Sequence, residues 1–201
     1  MNDRLLPVVE EFYSVQGEGF HTGKPAYFIR LGGCDIGCSW CDTRYSWNAE
    51  LHPLKDISEI IDNTLDSGTD SVVVTGGEPL MWNLDLLCNE LKKQGIMTFL
   101  ETSGAYTLSG KWNWICLSPK AHNPPVREIY KLADELKIIV QASADFEWAE
   151  KNRSFVNKEC HCYLQPEWSH YHKIIPEIVE YVKREKGWKI SLQAHKFMEI
   201  P

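Results

Sequence analysis

Short apolar runs alternate along this chain with segments whose apolar residues recur at helical spacing. The runs that predict strands are Ala26–Leu31, Ser71–Thr75, Met97–Glu101, Trp114–Leu117, Leu136–Val140 and Cys162–Leu164, with a further candidate at Lys189–Gln193. Three valines in a row, Val72 to Val74, are apolar without alternation, which is typical of a strand covered on both faces.

Helical patterns separate several of these strands. The clearest are Ile57–Leu65, about Leu84–Gln94 and about Ile174–Lys186. Asp56 and Glu59 fit a capping box at the start of the first helix. Gly95 and Gly187 suit the stops of the other two.

Strands that alternate with helices predict an α/β fold with a mostly parallel sheet and right-handed crossovers. With about six strands, such a sheet curls into a partial (β/α)6-type barrel whose ligands bind at the carboxyl ends of the strands. The segment Gly104–Asn113 is too short for a good crossover helix, so the barrel is expected to be abbreviated. We expect one domain, residues 1–201, because no repeat or flexible linker divides the chain.

Composition narrows the classes of function. The formal net charge is −7, and no Lys/Arg cluster stands out, which argues against nucleic acid or an anionic membrane as the main partner. No run approaches the roughly 18 apolar residues of a membrane span. Seven cysteines without a signal-peptide pattern indicate a reducing, cytoplasmic location and thiols that bind metal rather than form disulfides.

Three of those cysteines, Cys34, Cys38 and Cys41, follow the first predicted strand within a loop at about residues 32–46. Three thiolates supply one fewer ligand than an iron–sulfur cluster normally takes, so one iron would stay open to a small molecule. The alternative is a structural zinc site, which needs a fourth ligand. That ligand would come from a histidine or from one of the remaining cysteines, Cys88, Cys116, Cys160 and Cys162.

A second motif, Thr75-Gly76-Gly77-Glu78-Pro79, follows the valine strand. Its glycines allow backbone to come close to a ligand, and the Glu78 carboxylate can accept hydrogen bonds from an ammonium group. A tight strand-to-helix turn would explain the glycines but not the glutamate.

Together, the cysteine triplet, with Trp40 beside its last member, and the Gly-Gly-Glu-Pro loop resemble the radical S-adenosylmethionine superfamily. The resemblance implies that Cys34, Cys38 and Cys41 hold a [4Fe–4S] cluster and that S-adenosylmethionine binds its open iron. It also implies that Gly77 and Glu78 lie at the methionine amino group. Reductive cleavage of S-adenosylmethionine would then give a 5′-deoxyadenosyl radical, with the protein providing position and exclusion of water.

Further motifs narrow the resemblance to the 7-carboxy-7-deazaguanine synthase family. They are Phe12–Gly19, Cys41-Asp42-Thr43, Glu101–Gly104, Ser118-Pro119-Lys120, Leu164-Gln165-Pro166, His195-Lys196 and Ile200-Pro201. This likeness implies a lyase of queuosine biosynthesis. Such an enzyme converts 6-carboxy-5,6,7,8-tetrahydropterin to 7-carboxy-7-deazaguanine, through hydrogen abstraction at C6, ring contraction and loss of ammonia.

The same resemblance implies the substrate-binding residues. They are Val15, Gln16, Gly17, Glu18, Arg30, Thr75, His195 and Pro201. Arg30 would pair with the substrate carboxylate, because its planar fork suits that group; a surface charge is the alternative, disfavoured by apolar neighbours. A glycine-bounded hairpin turn is the alternative for Gln16–Gly19. The tail, residues 194–201, would close over the site.

Other residues are implied for S-adenosylmethionine and Mg²⁺. The first group is Trp40, Cys41, Asp42, Gly77, Glu78, Glu101, Ser103, Ser118, Pro119, Lys120, Gln165, Pro166, Glu167 and Trp168. Thr43 would bind Mg²⁺ through its hydroxyl, with the substrate carboxylate bridging. From residue type alone Asp42 is the more obvious Mg²⁺ ligand, so that choice stays open.

Two other functions compete with this interpretation. A glycyl-radical-enzyme activating enzyme shares the cysteine spacing but has no evident use for Gln16, Arg30 and Thr43. A non-catalytic metal-binding or electron-transfer module would need only the cysteines. The implied partners are a pterin substrate, an electron donor such as flavodoxin or ferredoxin, and a second copy of the chain in a homodimer.

Overall fold

In the computed structural model, which describes residues 3–201, the chain builds one nine-stranded sheet with helices against it. The strands are β1 (Leu5–Val15), β2 (Pro25–Leu31), β3 (Leu54–Asp56), β4 (Ser71–Gly76), β5 (Met97–Thr102), β6 (Trp114–Leu117), β7 (Glu135–Val140), β8 (His161–Pro166) and β9 (Trp188–Ile190). The helices are α1 (Ile57–Asp66), α2 (Asp85–Lys93), α3 (Asp145–Arg153), α4 (Tyr171–Arg184) and α5 (Ala194–Met198).

The strand order is β3-β1-β2-β4-β5-β6-β7-β8-β9. Every pair from β2 across to β9 is parallel, whereas β1 is antiparallel to both β2 and β3. Parallel neighbours need crossover connections, which the alternating pattern supplied. The predicted α/β fold with a mostly parallel sheet is confirmed.

The crossovers are reduced in the middle of the sheet, as expected. Residues 103–113, between β5 and β6, contain no helix, and the β6–β7 connection has only a short 3-10 turn at Ile129–Lys131. Tyr106, Leu108 and Trp112 of the first connection pack on the core in place of a helix.

The sequence pattern did not predict four of the elements, namely β1, β3, α3 and α5. Burial along β1 does not alternate, and its register shifts between Val8 and Glu10, so it lacks a period of two. Only Ala149 and Asn152 are buried in α3, which therefore has no apolar stripe. Within the described chain, no helix combines the length and apolar character needed to cross a bilayer.

The expected capping box at α1 forms only in part. Asp56 is the N-cap and its side chain accepts from Ser58 N at 2.9 Å. Glu59 instead lies 3.3 Å from the Lys55 ammonium, so the returning half of the box is not made.

The two faces of the sheet differ in chemistry, because successive residues of a strand point to opposite sides. Ile29, Val74 and Leu100 belong to the large core shared with the helices. Their neighbours Phe28 and Val73 belong to a small apolar cluster on the other face. Further along the strands, that second face becomes polar, and it is there that the predicted site residues meet.

Candidate active site

A cavity of about 520 Å³ lies at the carboxyl ends of β4 to β8, within the size range of small-molecule sites. Nearly all the predicted site residues line it, although they come from all parts of the chain. They are Val15, Gln16, Gly17, Glu18, Arg30, Cys34, Cys38, Trp40, Cys41, Asp42, Thr43, Thr75, Gly77, Glu78, Glu101, Ser103, Ser118, Lys120, Gln165, Pro166, Glu167, Trp168, His195 and Pro201. Pro119 is the exception: it is buried and lies off the wall.

The loop with the three cysteines is held by its own backbone. Gly33 N donates to Ser46 O at 2.7 Å, and Cys34 N donates to Trp47 O at 3.0 Å. The Trp82 indole donates to Gly32 O at 2.9 Å. These bonds close the loop on itself and tie it to the segment after β4.

Cys34, Cys38 and Cys41 are the cysteines that line the cavity, whereas the other four lie off its wall. Burial raises the pKa of Cys34 and of Cys38, so their thiolates need the positive charge of a bound metal group. The donor set, three thiols on one wall, fits an iron–sulfur cluster. In the part of the chain that the structure describes, no three His, Cys, Asp or Glu side chains gather as they would around a single ion.

The remaining cysteines have structural surroundings. Cys88 lies on the buried face of α2, and burial raises its pKa to about 12. Cys162 of β8 belongs to the large core, and Cys116 is buried in β6. Their burial is typical of thiols that pack as small apolar side chains, so none of them completes a zinc site with the cysteine loop.

Gly76 and Gly77 bring the end of β4 against the cysteine loop. A Cβ on Gly77 would lie 2.2 Å from Gly33 O and 2.8 Å from Cys34 Cβ. Gly76 has φ +141°, and its Cβ would lie 2.2 Å from Leu31 O. Glycine is therefore required at position 77 for the two loops to touch, and at position 76 for the end of β4 to lie against the end of β2.

The Glu78 carboxylate is 1% exposed and accepts four hydrogen bonds from the protein. One oxygen takes Leu80 N at 3.1 Å and the Thr102 hydroxyl at 2.5 Å. The other takes Ser103 N at 2.8 Å and the Ser103 hydroxyl at 2.5 Å. A carboxylate has about four acceptor positions, so Glu78 ties the ends of β4 and β5 together. That it also accepts from a ligand ammonium stays a prediction.

Lys120 brings a half-buried cation to the same wall. Its Nζ donates to Ser118 O at 2.6 Å and to Ser118 Oγ at 2.8 Å, and it stands 5.3 Å from the centre of the Trp40 ring. Burial lowers the pKa of Lys120. Ser118, Lys120 and Trp40 thus form one polar and aromatic corner beside the cysteines.

The end of β8 supplies the opposite wall. Gln165 is buried and accepts from the Ser191 hydroxyl at 2.7 Å. The Glu167 carboxylate accepts from Ser169 N at 3.0 Å. Trp168 is 40% exposed, and its ring lies 5.2 Å from that of Phe197 in α5, so this wall meets the tail.

Residues 16–24, which we name the floor loop, join β1 to β2. Gln16 N donates to Lys24 O at 2.8 Å, as in a hairpin, and Phe20 stacks on Trp114 of β6 with the ring centres 4.7 Å apart. Gln16 and Glu18 face the cavity. The floor loop is therefore a hairpin connection that also lines the cavity. That Gln16 and Glu18 bind the substrate stays a prediction.

A buried cation, Lys137 of β7, lies under the floor loop. Its Nζ is 2.6 Å from Glu18 Oε2 and 2.8 Å from Glu101 Oε2. Burial opposes the charged form of Glu18, but the Lys137 charge and hydrogen bonds outweigh it and lower the pKa of Glu18 to about 2. Glu18 is therefore a carboxylate at neutral pH.

Arg30 lies on the cavity wall rather than on the free surface. Its Nε donates to Glu10 Oε1 at 2.6 Å, and the Tyr45 hydroxyl donates to the same oxygen at 3.2 Å. The Thr43 hydroxyl is 3.5 Å from Cys41 Sγ. The cation and the hydroxyl proposed for the substrate carboxylate thus share one cavity.

The tail packs on the floor loop and the cysteine loop. Ala194 N donates to Gly17 O at 2.8 Å, and a Cβ on Gly17 would meet the His195 ring at 2.2 Å. Burial lowers the pKa of His195. Lys196 Nζ is 2.8 Å from Asp42 Oδ2, so the ammonium occupies the carboxylate that competed with Thr43 for Mg²⁺.

Some polar or charged residues of the cavity were not singled out from the sequence, among them Lys137, Ser169 and Gln193. Lys137 could have been found, because a lysine inside an apolar parallel strand is rarely buried unless it is paired. Gln193 follows a short edge strand and gives no local pattern, whereas Lys196 belongs to the His195-Lys196 motif but was given no role of its own.

Known proteins resemble this chain in sequence and in fold. A family model of the Radical SAM superfamily matches residues 28–142, more than half of the chain. A 7-carboxy-7-deazaguanine synthase of Flavobacterium psychrophilum is 49% identical over 98% of this chain and 93% of the relative. One of Synechocystis is 43% identical over 96% and 93%. The crystal structure of QueE from Escherichia coli superimposes with a TM-score of 0.85, at 28% identity and 95% coverage of each chain.

The chain belongs to the radical S-adenosylmethionine superfamily, which the fold and the three cavity cysteines define. Within it, the chain belongs to the family of 7-carboxy-7-deazaguanine synthases. The predicted resemblance is confirmed. The activating-enzyme and non-catalytic alternatives are therefore set aside.

Proposed function

We propose that this chain converts 6-carboxy-5,6,7,8-tetrahydropterin to 7-carboxy-7-deazaguanine and ammonia, as a lyase of queuosine biosynthesis. The observation that carries the proposal is the meeting of three motifs in one cavity within a chain of this family. Those motifs are the cysteine triplet, the Gly76-Gly77 turn and the floor loop. The overall conversion balances, because ring contraction with loss of ammonia needs no net oxidant.

Cys34, Cys38 and Cys41 would hold the [4Fe–4S] cluster that membership of the superfamily implies. When bound, the cluster and S-adenosylmethionine supply a 5′-deoxyadenosyl radical that removes one hydrogen atom from the substrate. The protein's own part is to place the two ligands in contact and to exclude water. The polar and aromatic corner of Trp40, Ser118 and Lys120 supports S-adenosylmethionine binding on the cysteine side.

The opposite side of the cavity would hold the pterin. Arg30 already has its Nε on Glu10, which directs its remaining guanidinium donors to other acceptors, and a substrate carboxylate suits them. The pterin's amino-pyrimidinone edge presents adjacent N–H donors, which match the carboxylate of Glu18 and the side-chain amide of Gln16. His195 and Pro201 of the tail would cover the ligand.

Thr43 would contribute its hydroxyl to Mg²⁺, with the substrate carboxylate as a second ligand and water completing the shell. Its support is the ion pair of Asp42 with Lys196, which leaves Thr43 as the hydroxyl beside Cys41. We further propose one domain closed by residues 194–201, a flavodoxin or ferredoxin as electron donor, a homodimer and a cytoplasmic location.

The test is turnover after anaerobic reconstitution. The wild-type protein should take up iron and sulfide, cleave S-adenosylmethionine with a reductant, and release 7-carboxy-7-deazaguanine without any partner protein. Substrate deuterated at C6 should pass deuterium into S-adenosylmethionine or 5′-deoxyadenosine. A Cys38→Ala variant is the control for the cluster. Omission of Mg²⁺ tests whether turnover needs the metal that Thr43 is proposed to bind. Cleavage of S-adenosylmethionine with no product from this pterin would refute the proposed substrate.

A further inference from the structure

We propose that Lys137 is a positioning residue for the substrate, holding Glu18 of the floor loop and Glu101 of β5 in place beneath it. The inference rests on the proposed function, since it concerns the same pocket. Neither the motifs of the sequence nor the comparisons assign a role to Lys137. Its place in the fold does.

Lys137 is 4% exposed and stands between two carboxylates, at 2.6 Å from Glu18 and 2.8 Å from Glu101. Its neighbours on the strand, Leu136 and Ile138, are fully buried in the large core. A buried ion pair is often no more stable than apolar residues of similar volume. A lysine at this position is therefore better explained by what its charge does in the cavity than by fold stability.

The ammonium joins three separate parts of the chain. Glu18 belongs to the floor loop, and its other oxygen accepts from Gln193 Nε2 at 2.9 Å. Glu101 belongs to β5, and its other oxygen accepts from Gln16 Nε2 at 3.2 Å. Removal of the Lys137 charge would thus loosen both residues of the floor loop that face the substrate.

Residues 19 and 20 of the floor loop have their own hydrogen bonds to the sheet and to the segment after β9. Phe20 N donates to Glu135 Oε2 at 3.1 Å, and Gly19 N donates to Ser191 Oγ at 2.9 Å. These bonds do not pass through Lys137. Loss of the lysine should therefore move residues 16–18, which line the cavity, while residues 19 and 20 stay in place.

The charges around Glu18 predict how pH would act. Lys137 faces it from β7, Gln193 from the segment after β9, and His195 from α5. Beyond Lys137 lie Glu101 of β5, Cys116 of β6 and Glu135, whose pKa is raised by burial. Without the ammonium, two carboxyls, Glu18 and Glu101, would share a buried space that no lysine neutralises. Burial of Glu18, which opposes its charged form, would then act without that compensation and raise its pKa.

The experiment compares Lys137→Met and Lys137→Arg with Lys183→Met, a control on an exposed face of α4. Three kinds of measurement are made on the reconstituted enzyme. They are KM and kcat for the pterin from about pH 6 to about pH 9, cleavage of S-adenosylmethionine without pterin, and hydrogen exchange of peptides within residues 16–24.

Lys137→Met should raise KM roughly 10- to 100-fold, the factor for one lost charge-assisted hydrogen bond, with a smaller change in kcat. Its KM should fall as pH rises, because the carboxylate form returns, whereas wild-type KM should not follow Glu18 in this range. Lys137→Arg should restore the flat profile in part. Exchange in the floor loop should rise in Lys137→Met and not in Lys183→Met.

The inference is overturned if Lys137→Met keeps the wild-type KM. It is also overturned if KM rises without depending on pH while hydrogen exchange in residues 16–24 stays unchanged. S-adenosylmethionine cleavage separates the causes, since it needs the cluster but not the pterin. If the wild type cleaves S-adenosylmethionine but ignores the pterin, the proposed substrate fails. The exchange comparison then still decides whether Lys137 holds the floor loop.

Discussion

Replacement of Glu78 by alanine is the sharpest test of how this site is built. The carboxylate accepts four hydrogen bonds and joins the end of β4 to Thr102 and Ser103 at the end of β5. Glu78→Ala removes all four at a position that is 1% exposed. The two hydroxyls can turn to other acceptors, but the backbone N–H groups of Leu80 and Ser103 cannot.

The magnitude follows from those two donors. An unsatisfied buried donor costs about 1–3 kcal/mol, and the methylenes and contacts of the lost side chain add to this. We expect Glu78→Ala to lower the free energy of unfolding by about 3–5 kcal/mol, the range for breaking a buried charged network. Glu78→Gln should cost less than alanine but more than nothing, since its amide keeps one acceptor and turns a donor towards donors.

The assay is urea unfolding of the apo-protein under anaerobic conditions, followed by circular dichroism. Glu180→Ala is the matched control, because Glu180 is exposed on α4 and pairs only across one helical turn with Lys183. Such a pair is worth less than about 1 kcal/mol. If Glu78→Ala lost no more than this control, with an unchanged urea slope, Glu78 would not be the tie between the two strands.

Two further outcomes follow from the same geometry. Gly77→Ala should keep the circular dichroism spectrum but lose most of its iron on reconstitution, because the new Cβ would lie 2.2 Å from Gly33 O and 2.8 Å from Cys34 Cβ; wild-type iron content would contradict this. Acid should cancel the contribution of Glu18. Its pKa falls from 4.5 to about 2 on folding, so its stabilisation is complete above about pH 4.5 and is lost as pH falls towards about 2. The stability gap between wild type and Glu18→Gln, measured by urea midpoints, should therefore close with falling pH; a constant gap would contradict the ion pair with Lys137.

The sequence by itself determined the chemistry that depends on local spacing. Cys34, Cys38 and Cys41 lie within eight residues, and the Gly76-Gly77 turn directly follows an apolar strand. Because parallel strands end at the same edge of a sheet, motifs placed after strands were bound to meet. This is why the fold class could be predicted without coordinates. The individual site residues came from the family resemblance, and nearly all of those predicted line the cavity.

Only the tertiary structure decided the contacts between distant residues. Lys137 reaches Glu18 across 119 positions and Glu101 across 36, and nothing in the local pattern of β7 specifies either partner. The sequence suggested a ligand ammonium for Glu78, which stays a prediction; only the fold showed that its oxygens also accept from Thr102 and Ser103, 24 and 25 positions away. β1 was missed because its burial does not alternate. Spacing fixes which groups share a loop, but burial and pairing across the sheet fix their charge and their partners, since these depend on neighbours that only the folded chain brings together.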